Sequence, residues 1–361
     1  MIMSEMVHYV KLISIIQLVL IFLGMVFLFC VKIVFKTQRD RKIELNKLIS
    51  STIQGLLTSD DKLSLSFITL CKRHVDVLID YVLLLEKDLS DNPKWLMIKK
   101  QLIDQVLKPK ASVLARSNRW LNQYLAVQCY AFGIDLKDEF ILLKLIHHNI
   151  LLVCLGAAQV VFKYPTARSV DVLIDVLAKG RRLNQSFFIE VLTKITDNEK
   201  KILSHFFTMR LKREEDPFVR SFCYRMMMHL TASPSLLTLV KQDVLSNYLE
   251  LKLAAINYLS IIPSIHNLDF LIECLDDEQF EVRAVVVKLF RQFHHETVIP
   301  LLENKLTDPA WWVRINAAES LLKIGKKGIA VLQRQSLKGD RFAYETAQKM
   351  LITLHQTDKD I

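Results

Sequence analysis

The chain has 361 residues, 48 Lys and Arg against 38 Asp and Glu, a net charge of +10, and 51% apolar residues. Only 8 glycines and 8 prolines punctuate it, which argues against a sheet-rich or loop-rich protein. Six cysteines, at 30, 71, 129, 154, 223 and 274, show no C-x-x-C spacing, so a disulfide framework is not expected and a reducing compartment is.

The first element is a run of apolar residues from Leu12 to Val31, in which Ser14 and Gln17 are the only hydroxyl or amide side chains. Twenty residues rising 1.5 Å each span about 30 Å, the thickness of a bilayer core, so a transmembrane helix is expected over 12–35. A signal peptide has a shorter apolar region and ends in small residues, whereas this run ends Phe27-Leu28-Phe29-Cys30-Val31-Lys32. Lys32, Lys36, Arg39, Arg41, Lys42 and Lys47 follow it, and only Lys11 and the terminal amine precede it, offset by Glu5. Positive flanks stay in the cytoplasm, which predicts a short outer tail over 1–11 and everything from Lys36 onward inside. The basic cluster either sets topology alone or also touches anionic head groups, at about 1 kcal/mol per basic residue.

Residues 36–94 read as a juxtamembrane stalk or N-terminal cap. Helices are predicted over Ile43–Leu57 and Lys62–Leu89, with a break at Thr58-Ser59-Asp60-Asp61, Ser59 or Asp60 as N-cap, and a stop at Asp91-Asn92-Pro93.

From there a repeat takes over. Four apolar residues spaced 0, +4, +8 and +11 recur: Val219, Cys223, Met227, Leu230; Leu251, Ala255, Leu259, Ile262; Val282, Val286, Phe290, Phe293; Val313, Ala317, Leu321, Ile324; and, more degenerately, Ala343, Ala347, Leu351, Leu354. The starts lie 32, 31, 31 and 30 residues apart, and the spacing keeps each quartet on one helical face. Fainter copies start at Leu121, Ile150 and Phe187, the longest gap being placed in the turns at 163–166 and 179–182. A second apolar segment precedes each stripe, as in Leu236–Val240 and Leu268–Ile272, so one unit is helix A, turn, helix B. Stacking such units closes a core that neither helix closes alone, giving an all-α solenoid of about eight helix pairs over 95–355 and a tail at 356–361.

Glu214, Asp277 and Asp308 each stand five residues before a stripe, and Arg220, Lys252, Arg283 and Arg314 one residue after its start. The acid can cap helix B, and the base can pair with it or with the acid of the next unit. The runs Asp308-Pro309-Ala310-Trp311-Trp312-Val313-Arg314-Ile315-Asn316-Ala317-Ala318 and Asp277-Glu278-Gln279-Phe280-Glu281-Val282-Arg283-Ala284 resemble the short HEAT-type repeat, the 30-residue form named after phycobilisome lyases. The resemblance is clearest over 265–325 and fades on both sides. It implies an α-solenoid, bacterial in style when set behind one membrane span, and by that analogy a cytoplasmic (inner) membrane as its location. It leaves function open, because HEAT repeats serve scaffolds, lyases and nucleic-acid enzymes alike.

Motifs for chemistry are absent: no Walker loop, G-x-G-x-x-G, G-x-S-x-G or H-E-x-x-H occurs. Ser59-x-x-Lys62 and Ser90-Asp91-Asn92 match two elements of penicillin-binding enzymes, but the K-T-G element is missing downstream. The pairs His147-His148 and His294-His295 cannot chelate, since adjacent helical residues point about 100° apart. No catalytic residue, cofactor or metal is therefore expected. Segment 251–300 has seven acids against four bases, which argues against a nucleic-acid interface, where a sustained basic face is the rule.

The chain is expected to be a membrane-anchored, non-catalytic scaffold or adaptor for a protein partner, such as a membrane enzyme or transport complex. Candidate contact residues are Arg220, Lys252, Arg283 and Arg314; Arg225 and Lys288 at the outward +6 position, with Asn257 and Glu319; and Trp311 and Trp312. One tryptophan is expected to pack on its neighbour repeat. The alternatives are an enzyme in the mould of HEAT-type lyases or DNA glycosylases, and a solenoid outside the cytoplasm, where Asn184-Gln185-Ser186 would form a sequon.

Overall fold

Helix-compatible sequence runs through the basic flank of the apolar segment without a breaker, and the first helix accordingly continues through it. The computed structural model describes residues 2–59, 62–179, 185–262, 265–293, 297–338 and 340–357; Asp60, Asp61, Asn184 and the His294-His295 pair lie outside these. Among the described residues there are helices and turns and no strand. The chain divides into two units, Met1–Ile141 and Leu142–Ile361.

In the first unit, α1 runs unbroken from Ile2 to Thr58. It holds a stretch of mean hydropathy 2.2 that is entirely exposed, long and apolar enough to cross a membrane by length and composition. The expected separate helix at 43–57 is the last part of this same rod. That part is amphipathic: Ile49 and Ile53 are fully buried, and Lys42 bonds Asp80 at 2.9 Å. The expected helix over 62–89 is two, α2 (Leu65–Arg73) and α3 (Val75–Leu89), parted at His74. Ser64, rather than Ser59, caps α2 by accepting the Phe67 N–H. Asn92 caps α4 (Pro93–Leu102), accepting the N–H groups of Lys94 and Trp95, with Pro93 in the first turn where its missing donor costs nothing. A π-helical turn at Ile103–Leu107 leads into α5 (Lys108–Ala115), and α6 (Trp120–Tyr130) completes the unit.

The second unit follows α7 (Glu139–Ile146) with α8 (Leu151–Lys163), α9 (Ala167–Lys179), α10 (Gln185–Lys194), α11 (Asp197–Arg213) and α12 (Pro217–Met227). Then come α13 (Leu237–Val244), α14 (Leu249–Ser260), α15 (Ile265–Glu273), α16 (Phe280–Leu289), α17 (Val298–Asn304), α18 (Trp311–Ile324), α19 (Lys326–Lys338) and α20 (Arg341–Thr357). The even-numbered helices α12, α14, α16, α18 and α20 are the B helices, and each packs on the next. Their stripes form the core. Val219, Cys223 and Met227, then Leu251, Ala255 and Leu259, then Val282, Val286 and Phe290, then Val313, Ala317 and Leu321 are all buried. The +11 residues Leu230, Ile262, Phe293 and Ile324 are half-buried, because they lie past the helix end or at its last residue.

The fainter copies hold less well: Leu121 and Ile150, the first residues of their stripes, are exposed, although Cys129, Cys154, Ala158 and Val161 are buried. The backbones of α18 and α19 approach closely. Gly325 ends α18 at φ 92°, a left-handed conformation that glycine adopts without strain, and a Cβ on Gly328 would stand 1.9 Å from the Leu321 carbonyl oxygen.

Candidate functional site

The B helices α12, α14, α16 and α18 are buried on most of their circumference, and α20 only along its stripe. In α18, Val313, Arg314, Ile315, Ala317, Ala318, Ser320 and Leu321 are all buried, and α12 and α14 repeat the pattern. Polar side chains inside the stack serve neighbouring backbones: Ser320 donates to the Val287 carbonyl at 2.7 Å, and Asn316 to that of Ala284 at 3.0 Å.

The turns into the B helices are tied by a series of ion pairs. Arg220 Nη2 bonds Asp243 Oδ2 at 2.6 Å, Lys252 Nζ bonds Asp277 Oδ2 at 2.7 Å, and Arg283 bonds both oxygens of Asp308 at 2.9 Å. In every case the base reaches the acid of the following unit. Its own turn is held differently: Asp277 and Asp308 accept the N–H groups of Gln279 and Ala310, two residues on. The unit beginning at Leu251 has Ser246 where an acid is expected, and Asp243, three residues earlier, takes the part. Glu214 pairs within α11, with Arg210 at 2.6 Å, and accepts the N–H groups of Glu215 and Asp216. Arg314 finds no such acid. Its guanidinium donates to the carbonyls of Asp308 and Pro309 and stands 4.5 Å over the Phe342 ring.

Electrostatics divide these rungs. Burial alone would raise Asp308 and Asp277, but hydrogen bonds from Arg283 and Lys252, with those from backbone N–H groups, outweigh it and hold both carboxyls below their ordinary value. Burial wins at Asp243, whose carboxyl is pushed up despite bonds from the Tyr224 hydroxyl and Arg220.

Of the residues singled out in the sequence, Arg220, Lys252, Arg283 and Arg314 are thus engaged inside the array. The +6 row does reach solvent: Lys288 is exposed, and Arg225, Asn257 and Glu319 are half-buried. Arg225 approaches Glu250 at 4.0 Å, and Asn257 donates to the Leu253 carbonyl. Of the two tryptophans, Trp311 meets the neighbouring repeat through Lys349 of α20, which stands over its ring at 5.5 Å. Trp311 and Trp312 are 44% and 58% exposed and pack edge-to-face on each other, centroids 4.6 Å apart.

Sequence reading also passed over Phe218, Tyr248, Phe280, Phe342 and Tyr344, exposed residues in the cap or first turn of the other B helices. Phe218, Tyr248, Phe280 and Phe342 lie one to three residues before the first residue of a stripe, and Tyr344 one residue after it. His148 Nδ1 accepts the Ile150 N–H at 2.9 Å, and among the described residues no group of three His, Cys, Asp or Glu could hold a metal ion.

The fold of the rungs has a known counterpart. Residues 268–351 match the family of HEAT repeats. This stretch contains Arg283, Asp308 and Arg314, and the rungs at Arg220 and Lys252 continue the same geometry upstream of it. No curated protein matches the chain. Among solved structures it is similar to human deoxyhypusine hydroxylase in complex with glycerol, at 17% identity over 73% of this chain and 100% of that one, with a TM-score of 0.29. The Escherichia coli protein YibA is 15% identical over 81% and 98%, with a TM-score of 0.32. An engineered protein is 15% identical over 85% and 98%, with a TM-score of 0.28. Likeness at this level carries no argument about activity.

Proposed function

We propose that the chain is a membrane-anchored, non-catalytic scaffold or adaptor, whose HEAT-type array holds a protein partner at a cytoplasmic membrane. One observation carries the reading. The basic side chains Arg220, Lys252 and Arg283 are spent on rungs between units, while Lys288 and the aromatic residues in the first turns of the B helices stay open to solvent along the same array. A surface of that kind is built for recognition over length, as in repeat proteins generally. The exposed apolar part of α1 supports an anchor, and the basic residues after it support an N-terminus outside and an array inside. Tethering raises the effective concentration of the array for a partner in the same membrane, to the millimolar range for a short tether.

The test is affinity capture of the full chain from detergent-solubilised membranes, beside a chain lacking residues 1–42. Recovery of a defined membrane protein in a fixed ratio by the full chain is the expected result. Recovery of nucleic acid, or turnover of a small substrate by the soluble part, overturns the reading. A reporter fused to the C-terminus checks its compartment.

A further inference from the structure

Among the described residues of the second unit, every large aromatic side chain that is exposed lies in the cap or first turn of a B helix. They are Phe218 on α12, Tyr248 on α14, Phe280 on α16, Trp311 and Trp312 on α18, and Phe342 and Tyr344 on α20, each between 40% and 64% exposed. Five consecutive B helices therefore present aromatic groups at the same end. Helix packing places these ends side by side, and the rungs from Arg220 to Asp243, Lys252 to Asp277 and Arg283 to Asp308 join the turns at that end. The outcome is an aromatic edge along the stack. Isolated apolar residues on a surface need no explanation, but a contiguous row this long does. Tyr, Trp and Phe are also the residues enriched where proteins bind proteins.

Charge at this edge selects the partner. Glu215, Asp216, Glu250, Asp276 and Glu278 are exposed around the first turns of α12, α14 and α16, with Asp276 bonded to Lys305 and Glu250 4.0 Å from Arg225. The cations of the same turns, Arg220, Lys252 and Arg283, are less than one-fifth exposed and already paired. Among the described residues, the exposed cations near this edge stand at its two ends: Lys212 and Arg213, the latter bonded to Asp171, and Arg341 and Lys349, the former bonded to Glu345. The aromatic faces already accept cations here, with Arg314 over Phe342 at 4.5 Å and Lys349 over Trp311 at 5.5 Å. Carboxylates alternating with aromatic rings offer an arginine or lysine both an ion pair and a ring face.

We infer that this edge binds an extended, basic and partly apolar segment of a partner protein. The inference rests on the scaffold reading and gives the partner its chemistry. Four steps between packed helices, at about 10 Å each, make the edge about 40 Å long. An extended chain covers that with about twelve residues. An anionic lipid surface would be repelled by the same carboxylates.

The test titrates the full chain in detergent with a fluorescein-labelled peptide of about fourteen residues alternating arginine and leucine. Counterparts alternating glutamate with leucine, and arginine with serine, are titrated alongside. Since the protein carries a net charge of +10, general electrostatics oppose the basic peptide, and only a local acidic surface can hold it. The arginine–leucine peptide is expected to bind, and the glutamate–leucine peptide not. Trp311→Ser with Trp312→Ser, and separately Glu250→Lys with Glu278→Lys, should each weaken binding by about tenfold or more. All four sites are exposed, so the variants should melt like the wild type.

Equal binding of the acidic peptide, or binding unchanged in both variants, overturns the assignment. Self-association of the chain that the tryptophan variant abolishes, without peptide binding, assigns the edge to a second copy and overturns it too. If the variants still capture the membrane partner in wild-type amounts, the edge assignment falls and the scaffold reading stands.

Discussion

The Arg283 guanidinium closes on both oxygens of Asp308, Nε to Oδ2 and Nη2 to Oδ1 at 2.9 Å, while Oδ1 also accepts the Ala310 N–H. Two consecutive units are thereby joined through one carboxylate whose side chain is 3% exposed. Burying an ion pair is costly, and breaking one is costlier, because the surviving charge is left without a partner.

Arg283→Ala should therefore destabilise the second unit by about 2–4 kcal/mol, seen as a lower denaturation midpoint in urea with an unchanged slope. Arg283→Lys should recover part of this and no more, since an ammonium cannot meet both oxygens in the plane of the carboxylate. The neighbouring rung is made by a lysine, Lys252, through a single bond to Asp277 at 2.7 Å.

Acid should dissolve the rungs selectively. Asp308 and Asp277 sit below their ordinary value in the folded chain, so they contribute stability that is present above about pH 4 and lost as pH falls through their native values. Asp243 has the opposite sign: its carboxyl is raised, it takes up a proton in the folded state first, and its contribution grows as pH falls. Melting curves between about pH 3 and pH 7 should show a flatter acid limb for Asp308→Asn. Asp243→Asn should leave that limb at least as steep as the wild type's.

The docked end of α1 is held by apolar contact. Ile53 is fully buried on a helix whose apolar stretch after Leu20 contributes nothing to the core, so Ile53→Ala should cost the first unit about 2–4 kcal/mol. Thermal melting of the detergent-solubilised chain reads this, with exposed Leu48→Ala as the variant that changes little.

Thiol labelling separates the anchor from the array. Cys71, Cys129, Cys154, Cys223 and Cys274 are buried, and burial pushes Cys71 and Cys129 up to about 12 and Cys274 to about 11. A water-soluble maleimide should leave the five buried thiols of the folded chain unmodified and label all six after denaturation. In sealed membranes Cys30, inside the apolar stretch, should be protected as well. Labelling of Cys30 in sealed membranes at the rate of a free thiol would sink the anchor.

Much of the second unit was legible because its period is enforced by burial: Val282, Val286, Val313, Ala317 and Leu321 fall inside for the reason that made them recur. The rung from Arg220 was misread, since Ser246 holds the expected place and Asp243 reaches the same point from one helical turn earlier. Leu121 and Ile150 satisfied the spacing and yet are exposed, which shows that four apolar residues can share a face without being covered. At Thr58 the end of α1 was read correctly, but not its continuity with the span, because lysine and arginine change polarity without breaking a helix. The aromatic edge escaped because Phe, Tyr and Trp interchange there and their offset from the stripe runs from three residues before its start to one after.

The unbroken course of α1 has a mechanical consequence. Residues 36–58 rise about 1.5 Å each and turn about 100°, so this stretch is a rod of about 34 Å, fixed at one end by Ile49 and Ile53. Adding or deleting one residue before Ile49 would swing the apolar segment through more than a quarter turn relative to the first unit while changing its height little. A full-turn insertion of about four residues would do the reverse. The helix therefore sets height and bearing together, as a threaded post does.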